Sequence, residues 1–99
     1  MKLRYTRRAR RHLDGISQYI AERNPDAAKR VGARIRETIE LLSLYPNVGR
    51  EGALAGTREL VVPSLLYVVV HRIESGEDPA VTILGIYHGA QLRPGQETR

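Results

Sequence analysis

Hydrophobic and polar residues alternate at the start of the chain, in "KLRYT", where Leu3 and Tyr5 lie on one side of the backbone. A period of two is typical of a strand with one buried face. From residue 7 to about residue 23 the period becomes that of an amphipathic helix, and Thr6 stands where an N-cap belongs. The apolar positions of this helix are Ala9, Leu13, Ile16 and Ile20.

A second helix is predicted directly after the first. In "RNPDAAKR" Asn24 can cap it and Pro25 suits its first turn, while Pro46 and Gly49 follow its end. Its apolar stripe consists of Ala28, Val31, Ile35, Thr38 or Ile39, and Leu42. Because the break between the helices is short, we expect them to lie antiparallel.

The second half of the chain predicts strands. Residues 46–57 contain three glycines and are predicted as an irregular loop. Three apolar segments follow, "RELVV", "LLYVVVHRI" and "AVTILGIYH", the last two separated by the turn "ESGED". The order β-α-α-β-β-β predicts an α+β fold in which a helical hairpin packs on a mostly antiparallel sheet. We expect one domain over residues 1–92 and a frayed polar tail over 93–99.

The middle strand is apolar on both faces. One face carries Leu66, Val68, Val70 and Arg72, and the other carries Leu65, Tyr67, Val69 and His71. An antiparallel sheet covered on one side should be polar on the other. The pattern does not say which face is the core. Because the loop and the tail are polar and glycine-rich, we expect a partner protein to cover the second face.

Composition narrows the setting of the protein. The chain has 99 residues, no Cys and a formal charge of +5, so one domain without disulfides is expected. Eleven Lys or Arg lie between residues 2 and 36, against three acidic residues. This excess suits nucleic acid, an acidic membrane surface or an acidic protein. No apolar run reaches the length of a membrane span, about 20 residues, and we expect a cytoplasmic protein that does not bind membranes.

Several segments together resemble the RelE/ParE superfamily of bacterial toxins. They are the break "RNPDAA", the exit "LLSLYPNVGREG", the strand pair "GTRELVVPSLLYVVVHRI" and the end "ILGIYHGAQ", covering about residues 2–92. The resemblance implies a toxin of a type II toxin–antitoxin pair, neutralised by a cognate antitoxin that wraps around it. It also implies that operator DNA is bound only by the toxin–antitoxin complex, and it implies no cofactor.

The superfamily divides by mechanism. RelE-like members cleave mRNA on the ribosome, and ParE-like members inhibit DNA gyrase. Metal-free RNA cleavage needs proton-transfer groups and fixed cations around the phosphate. Here Val68 stands where the RelE-like pattern has Arg, and no Lys occurs beyond Lys29. We therefore favour a ParE-like toxin that is not an enzyme over the nuclease alternative, although Gln91 stands where many ParE-like sequences have Arg.

The alternatives define two sets of candidate residues. If the chain is a RelE-like nuclease, its degenerate site consists of His71, Arg72, Tyr87 and His88. If it is a binding toxin, the partner-binding residues are Arg58, Leu65, Tyr67, Val69, Arg7 and Arg11. A third possibility is that the chain acts mainly in an operon-repressing complex. Asp14, Glu22, Asp26 and Glu37 have no His at ligand spacing, so no metal site is predicted.

Each candidate also has a structural explanation. We favour His88 as a hydrogen-bonded corner at a strand end, and Tyr87 as a packing residue on the same strand face as Ile83 and Gly85. Arg58 could bind phosphate or an antitoxin carboxylate, or could simply be solvated.

Overall fold

The computed structural model describes residues 1–89, 91 and 93–96. Its elements in chain order are β1 Lys2–Tyr5, α1 Arg7–Ala21, α2 Pro25–Leu44, β2 Arg50–Glu51, β3 Arg58–Val61, β4 Tyr67–Glu74 and β5 Ala80–His88. The predicted α+β class and the predicted order of helices and main strands are confirmed. The difference is β2, a two-residue strand inside the segment that was expected to be irregular.

The five strands form one sheet in the order β1-β5-β4-β3-β2. β1 pairs in parallel with β5, and the other pairs are antiparallel. The first strand therefore lies beside the last, because the two helices carry the chain from β1 to the other end of the sheet. The register of β4 and β5 shifts between Val70 and His71, and this β-bulge leaves Leu84 as the extra residue on β5.

Both helices begin at the predicted caps. The side chain of Thr6 accepts a hydrogen bond from the Ala9 N–H at 3.0 Å, and that of Asn24 accepts one from the Ala27 N–H at 3.1 Å. Such caps satisfy backbone donors that have no partner within the helix. The first helix ends at Ala21 rather than near residue 23, and the short break lets α1 and α2 pack against each other.

The main core lies between the helices and one face of the sheet, called here the helix face. It is built from Ala9, Ile35, Ile39, Leu42, Val62, Val69, Val81, Ile83 and Ile86, with Leu65 and Tyr67 packed against it. The structure thus decides which side of the middle strand forms the core, namely the side that carries Val69. Because Val69 is fully buried, its assignment as a partner-binding residue is wrong.

The opposite side of the sheet, called here the second face, is covered by the chain itself at Val68 and Val70, whereas Val61, the β3 partner of Val68, is 56% exposed and Leu66, just before β4, is 69% exposed. Val68 and Val70 are only 6% and 1% exposed. Val70 lies between Glu59 and Gly85; Arg93 pairs with Glu59 at 3.2 Å, and the Tyr87 ring lies over Gly85. The expectation that a partner must cover these valines is therefore wrong.

The segment after residue 92 explains the difference. Gly95, at φ +90°, lies so close to the loop before β3 that a Cβ there would be 2.5 Å from the Leu54 nitrogen. Glycine permits both this backbone conformation and this approach. The expectation of a frayed tail is wrong for residues 93–96, and residues 97–99 lie outside the described residues.

Candidate functional site

The four residues of the possible nuclease site do not share one face of the sheet. His71 is paired with Ile83, and His88 with Tyr67, on the helix face. Arg72 and Tyr87 point to the second face, opposite Thr82 and Val68 respectively. A proton-transfer pair and a cation must converge on one phosphate to cleave RNA. The arrangement of these four side chains does not provide that convergence.

His71 is a buried histidine. It is 0% exposed, and burial lowers its pKa from the usual 6.5, while backbone groups of Val69 and Pro46 act in the opposite direction. Neither ring nitrogen is aligned for a hydrogen bond with a described residue. Arg58, its partner on β3, lowers the pKa further. His71 is therefore held neutral within the core and is not accessible to a substrate.

The segment "IYHG" ends β5 and forms a corner. The His88 N–H donates to Oε1 of Gln91 at 2.6 Å, and the Gly89 N–H donates to the Leu66 carbonyl. The His88 ring meets the Tyr67 ring edge-on, with 5.7 Å between ring centroids. Gln91 thus has a local structural role at the position where ParE-like sequences often have Arg.

Tyr87 packs, but not on the predicted face. Because of the bulge at Leu84, Gly85 and Tyr87 lie on the second face while Ile83 lies on the helix face. A Cβ on Gly85 would be 2.6 Å from the Tyr87 ring. The expectation that Tyr87 and Ile83 share a face is therefore wrong, because the extra residue reverses the alternation.

Sequence reasoning missed the role of His12. β1 pairs only with residues 80–83 of β5, so the backbone beyond lies at an edge, where the Ile86 N–H donates to His12 Nδ1 at 3.1 Å. The His12 ring also meets the Tyr87 ring edge-on at 4.9 Å. Burial lowers the pKa of His12, and Arg8 and Arg11 lower it further. Helical spacing alone carries no signal for this contact, which depends on where β1 ends.

The predicted arginines lie at two separate places. Arg58 donates from a terminal guanidinium nitrogen to the Gly49 carbonyl at 2.9 Å, and its buried Nε has no hydrogen-bond partner among the described residues. Arg7 and Arg11 are exposed on α1 and line a cleft that Arg8 and Arg72 also line. The structure therefore places Arg72 beside Arg7 and Arg11, which were predicted to bind a partner, and not beside the two histidines.

A separate apolar groove runs between the two helices. It is called here the hairpin groove and has a volume of about 690 Å³. Its apolar lining comes from half-buried or buried residues of both helices: Leu13, Ile16, Ile20, Ala28, Val31 and Ile35. Asp14, Lys29 and Arg36 lie along it as charged residues. An elongated apolar groove with charged residues beside it suits an amphipathic segment of another protein.

The second face offers little free positive charge at its centre. Val68 and Val70 occupy the middle strand there, and the neighbouring strand carries the acidic Glu59. Arg50 and Arg93 both pair with Glu59, at 3.1 and 3.2 Å. These two guanidinium groups are therefore engaged in an internal ion-pair cluster.

Comparison with known proteins identifies toxin relatives of this chain. The sequence profile of the family described as "ParE toxin of type II toxin-antitoxin system, parDE" matches residues 3–93. The chain belongs to this ParE toxin family. A relative, "Putative toxin Y4kP" of Sinorhizobium fredii, is 42% identical over 93 residues, which cover 94% of this chain and 93% of the relative.

Another relative of the chain is named as a RelE toxin. "Toxin RelE2" of Caulobacter vibrioides is 38% identical over 88 residues, covering 89% of this chain and 94% of the relative. A solved structure described as "Chromosomal ParDE TA system from P. aeruginosa" aligns with a TM-score of 0.79 at 24% identity. It covers 89% of this chain and 95% of that one, and at this identity the likeness shows the fold alone.

Membership in the ParE toxin family makes the chain a toxin of a toxin–antitoxin system, and implies a cognate antitoxin as partner. Within the described part of the chain, neither helix has the length and apolarity that crossing a bilayer requires.

Proposed function

We propose that this ParE-family toxin inhibits DNA gyrase by binding it, and that its antitoxin holds it inactive. The observation that carries the proposal is that the four candidate nuclease residues are divided between the two faces of the sheet, with His71 fully buried. A nuclease would need proton-transfer groups and a cation that converge on one phosphate. A toxin that acts by protein binding needs no such group.

The test compares two targets with one preparation of toxin. We expect the purified protein to inhibit supercoiling by gyrase, or to trap cleaved DNA, while mRNA on programmed ribosomes stays intact. Addition of the antitoxin should restore supercoiling. Codon-dependent mRNA cleavage that His88→Ala abolishes would reject the gyrase mechanism.

A second candidate function is supported by the RelE name of one relative. It is a ribosome-dependent nuclease built from His71, Arg72, Tyr87 and His88. The burial of His71 and the separation of the four side chains between two faces weigh against it. His88→Ala and Tyr87→Phe distinguish the two candidate functions. Both variants should abolish mRNA cleavage if the protein is this nuclease, and both should leave gyrase inhibition unchanged if neither residue is catalytic.

We also propose that the hairpin groove receives an apolar segment of the antitoxin. This groove is a large apolar recess at which burial of a partner can supply affinity, whereas Val68 and Val70 on the second face are already buried by the chain itself. Acidic groups of the same partner would meet Arg58 or the arginines of α1. Leu65 and Tyr67, half-buried against the core, stay predicted as partner residues.

A bulky substitution tests this seat without disturbing the core. Ser17 is exposed and lines the groove, whereas Gln18 is exposed on the same helix outside it. We expect Ser17→Trp to weaken antitoxin binding at least about tenfold, a loss of roughly 1.4 kcal/mol, and Gln18→Trp to leave it unchanged. Equal affinities for both variants would place the antitoxin elsewhere.

A further inference from the structure

A positively charged cleft lies where the start of α1 meets the second face of the sheet. It is called here the basic cleft and has a volume of about 460 Å³. Four arginines line it: Arg7, Arg8 and Arg11 from the helix, and Arg72 from β4. Its apolar lining comes from the loop before β3, from β5 and from the C-terminal segment, through Leu54, Leu84 and Pro94.

The arginines of the basic cleft have no acidic partner among the residues that the structure describes. Some other cations of the fold are paired: Lys2 and Arg4 meet Asp78, and Arg93 meets Glu59. The clustering of the unpaired arginines matters because four like charges gathered in one recess repel one another and destabilise the free protein. An external anion would remove that repulsion.

The arginines at the start of α1 also interact unfavourably with the helix dipole, in addition to repelling one another. The first turn of α1 contains no acidic residue, although the positive end of a helix dipole favours anions and disfavours cations by about 0.3–1 kcal/mol each. Arg8 and Arg11 also contribute to the lowered pKa of His12. The cleft is thus a region of positive potential that no acidic residue compensates among those the structure describes.

We propose that the basic cleft binds the phosphodiester backbone of a nucleic acid. Guanidinium groups match phosphate oxygens in a bidentate fork, and the Leu and Pro walls can contact sugars. Among the described residues of the lining, the one neutral hydroxyl is Thr6 Oγ1, which already donates to the Leu84 carbonyl at 3.1 Å. Binding is therefore directed at the backbone and does not select a base sequence.

This inference goes beyond the proposed function and does not depend on which target the toxin inhibits. Gyrase and the ribosome both hold nucleic acid, and a toxin with this cleft could contact the nucleic acid together with the protein. Duplex DNA and single-stranded RNA present the same phosphodiester chemistry. The two probes in the experiment distinguish these sources.

The experiment measures binding of the purified toxin to a fluorescent duplex DNA and to an RNA of equal length, across a range of salt concentrations. Each neutralised phosphate contributes about 0.9 to the slope of log K against log salt for duplex DNA, and about 0.7 for a single strand. We expect Arg7→Gln with Arg11→Gln to reduce the duplex slope by about two, and Arg72→Gln by about one. The probe that binds more tightly shows whether the cleft prefers duplex DNA or single-stranded RNA.

The matched control removes the same charge elsewhere. Lys29 and Arg30 are exposed on α2 and do not line the basic cleft, so Lys29→Gln with Arg30→Gln should leave the slope unchanged. All substituted helix residues are exposed, and thermal unfolding of each variant checks that the fold is kept. Arg8→Gln provides a further exposed position if Arg72→Gln unfolds.

Three results would overturn the proposal. Equal slope changes in the cleft and control variants would indicate diffuse charge. An unchanged slope for Arg72→Gln in folded protein would reduce the site to one helix surface. Tighter binding of polyglutamate than of either nucleic acid at equal charge would identify a site for acidic protein segments. Because the assay contains neither gyrase nor ribosomes, its failure is separate from failure of the proposed function.

Discussion

The ion-pair cluster under the C-terminal segment permits a quantitative prediction, because two arginines approach the same oxygen from different environments. Oε1 of Glu59 lies 3.1 Å from a terminal nitrogen of Arg50 and 3.2 Å from Nε of Arg93. The Arg50 side chain is 66% exposed, whereas those of Arg93 and Glu59 are 9% and 3% exposed. The Nε–H of Arg93 is not aligned for a hydrogen bond, so this contact is mainly electrostatic. We compare Arg93→Ala with Arg50→Ala.

The two substitutions should differ in cost by several-fold. Removing one member of a buried pair leaves an uncompensated charge and costs about 3–5 kcal/mol. Since Arg50 still faces the carboxylate in Arg93→Ala, we expect a loss of about 2–4 kcal/mol. Arg50→Ala removes a solvated partner and should cost less than about 1 kcal/mol. For a domain with about 5–15 kcal/mol of stability, only the first loss is large.

Urea unfolding followed by circular dichroism measures both costs. Adding Glu59→Gln to Arg93→Ala should restore part of the stability, because it removes the buried charge that Arg93 compensated. In a double-mutant cycle this appears as coupling of about 1–3 kcal/mol. Equal costs for the two arginines, or no recovery with Glu59→Gln, would refute the view that the C-terminal segment is fastened to the sheet by this pair.

Three further predictions concern stability. Burial lowers the pKa of His71 from 6.5, so the unfolded chain binds a proton at a higher pH than the folded protein does. The free energy of unfolding should therefore decrease as the pH falls through 6.5 towards the folded pKa. Well above pH 6.5 this group contributes no pH dependence. His71→Leu should reduce that decrease in urea midpoints measured at several pH values, and an unchanged decrease would contradict it. Arg7→Glu should raise the stability of the free protein by about 0.3–1 kcal/mol while weakening nucleic-acid binding, and thermal unfolding with the salt-slope assay checks the two effects together. Val68→Asp and Val69→Asp should both unfold the domain in circular dichroism, because each places a charge in a buried position; a folded Val68→Asp protein would show that the second face is open.

Local chemistry made much of the fold predictable. The caps at Thr6 and Asn24 are formed as expected, because a cap depends on residues within one helical turn. The main strands also follow from their apolar runs and the turns between them. The family resemblance rests on the order of such segments, and the family match over residues 3–93 bears it out.

The candidate sites were less predictable, because their residues are distant in sequence. Because Leu84 is an extra residue in β5, Ile83 lies on the helix face whereas Gly85 and Tyr87 lie on the second face. Alternation along one strand carries no information about a bulge, which exists only in the pairing of two strands. For the same reason His12 gave no signal, since its partner Ile86 lies at an edge created by the end of β1.

By itself, the sequence determined the helices, the main strands, their order and the concentration of positive charge in the first third of the chain. Tertiary structure alone decided what covers the second face and which arginines act together. Arg93 reaches Glu59, which lies 34 positions earlier in the sequence, and Arg72 joins Arg7 and Arg11 at one cleft. Secondary structure arises from neighbours along the chain, whereas burial and charge clustering depend on packing between segments that only the folded chain brings together.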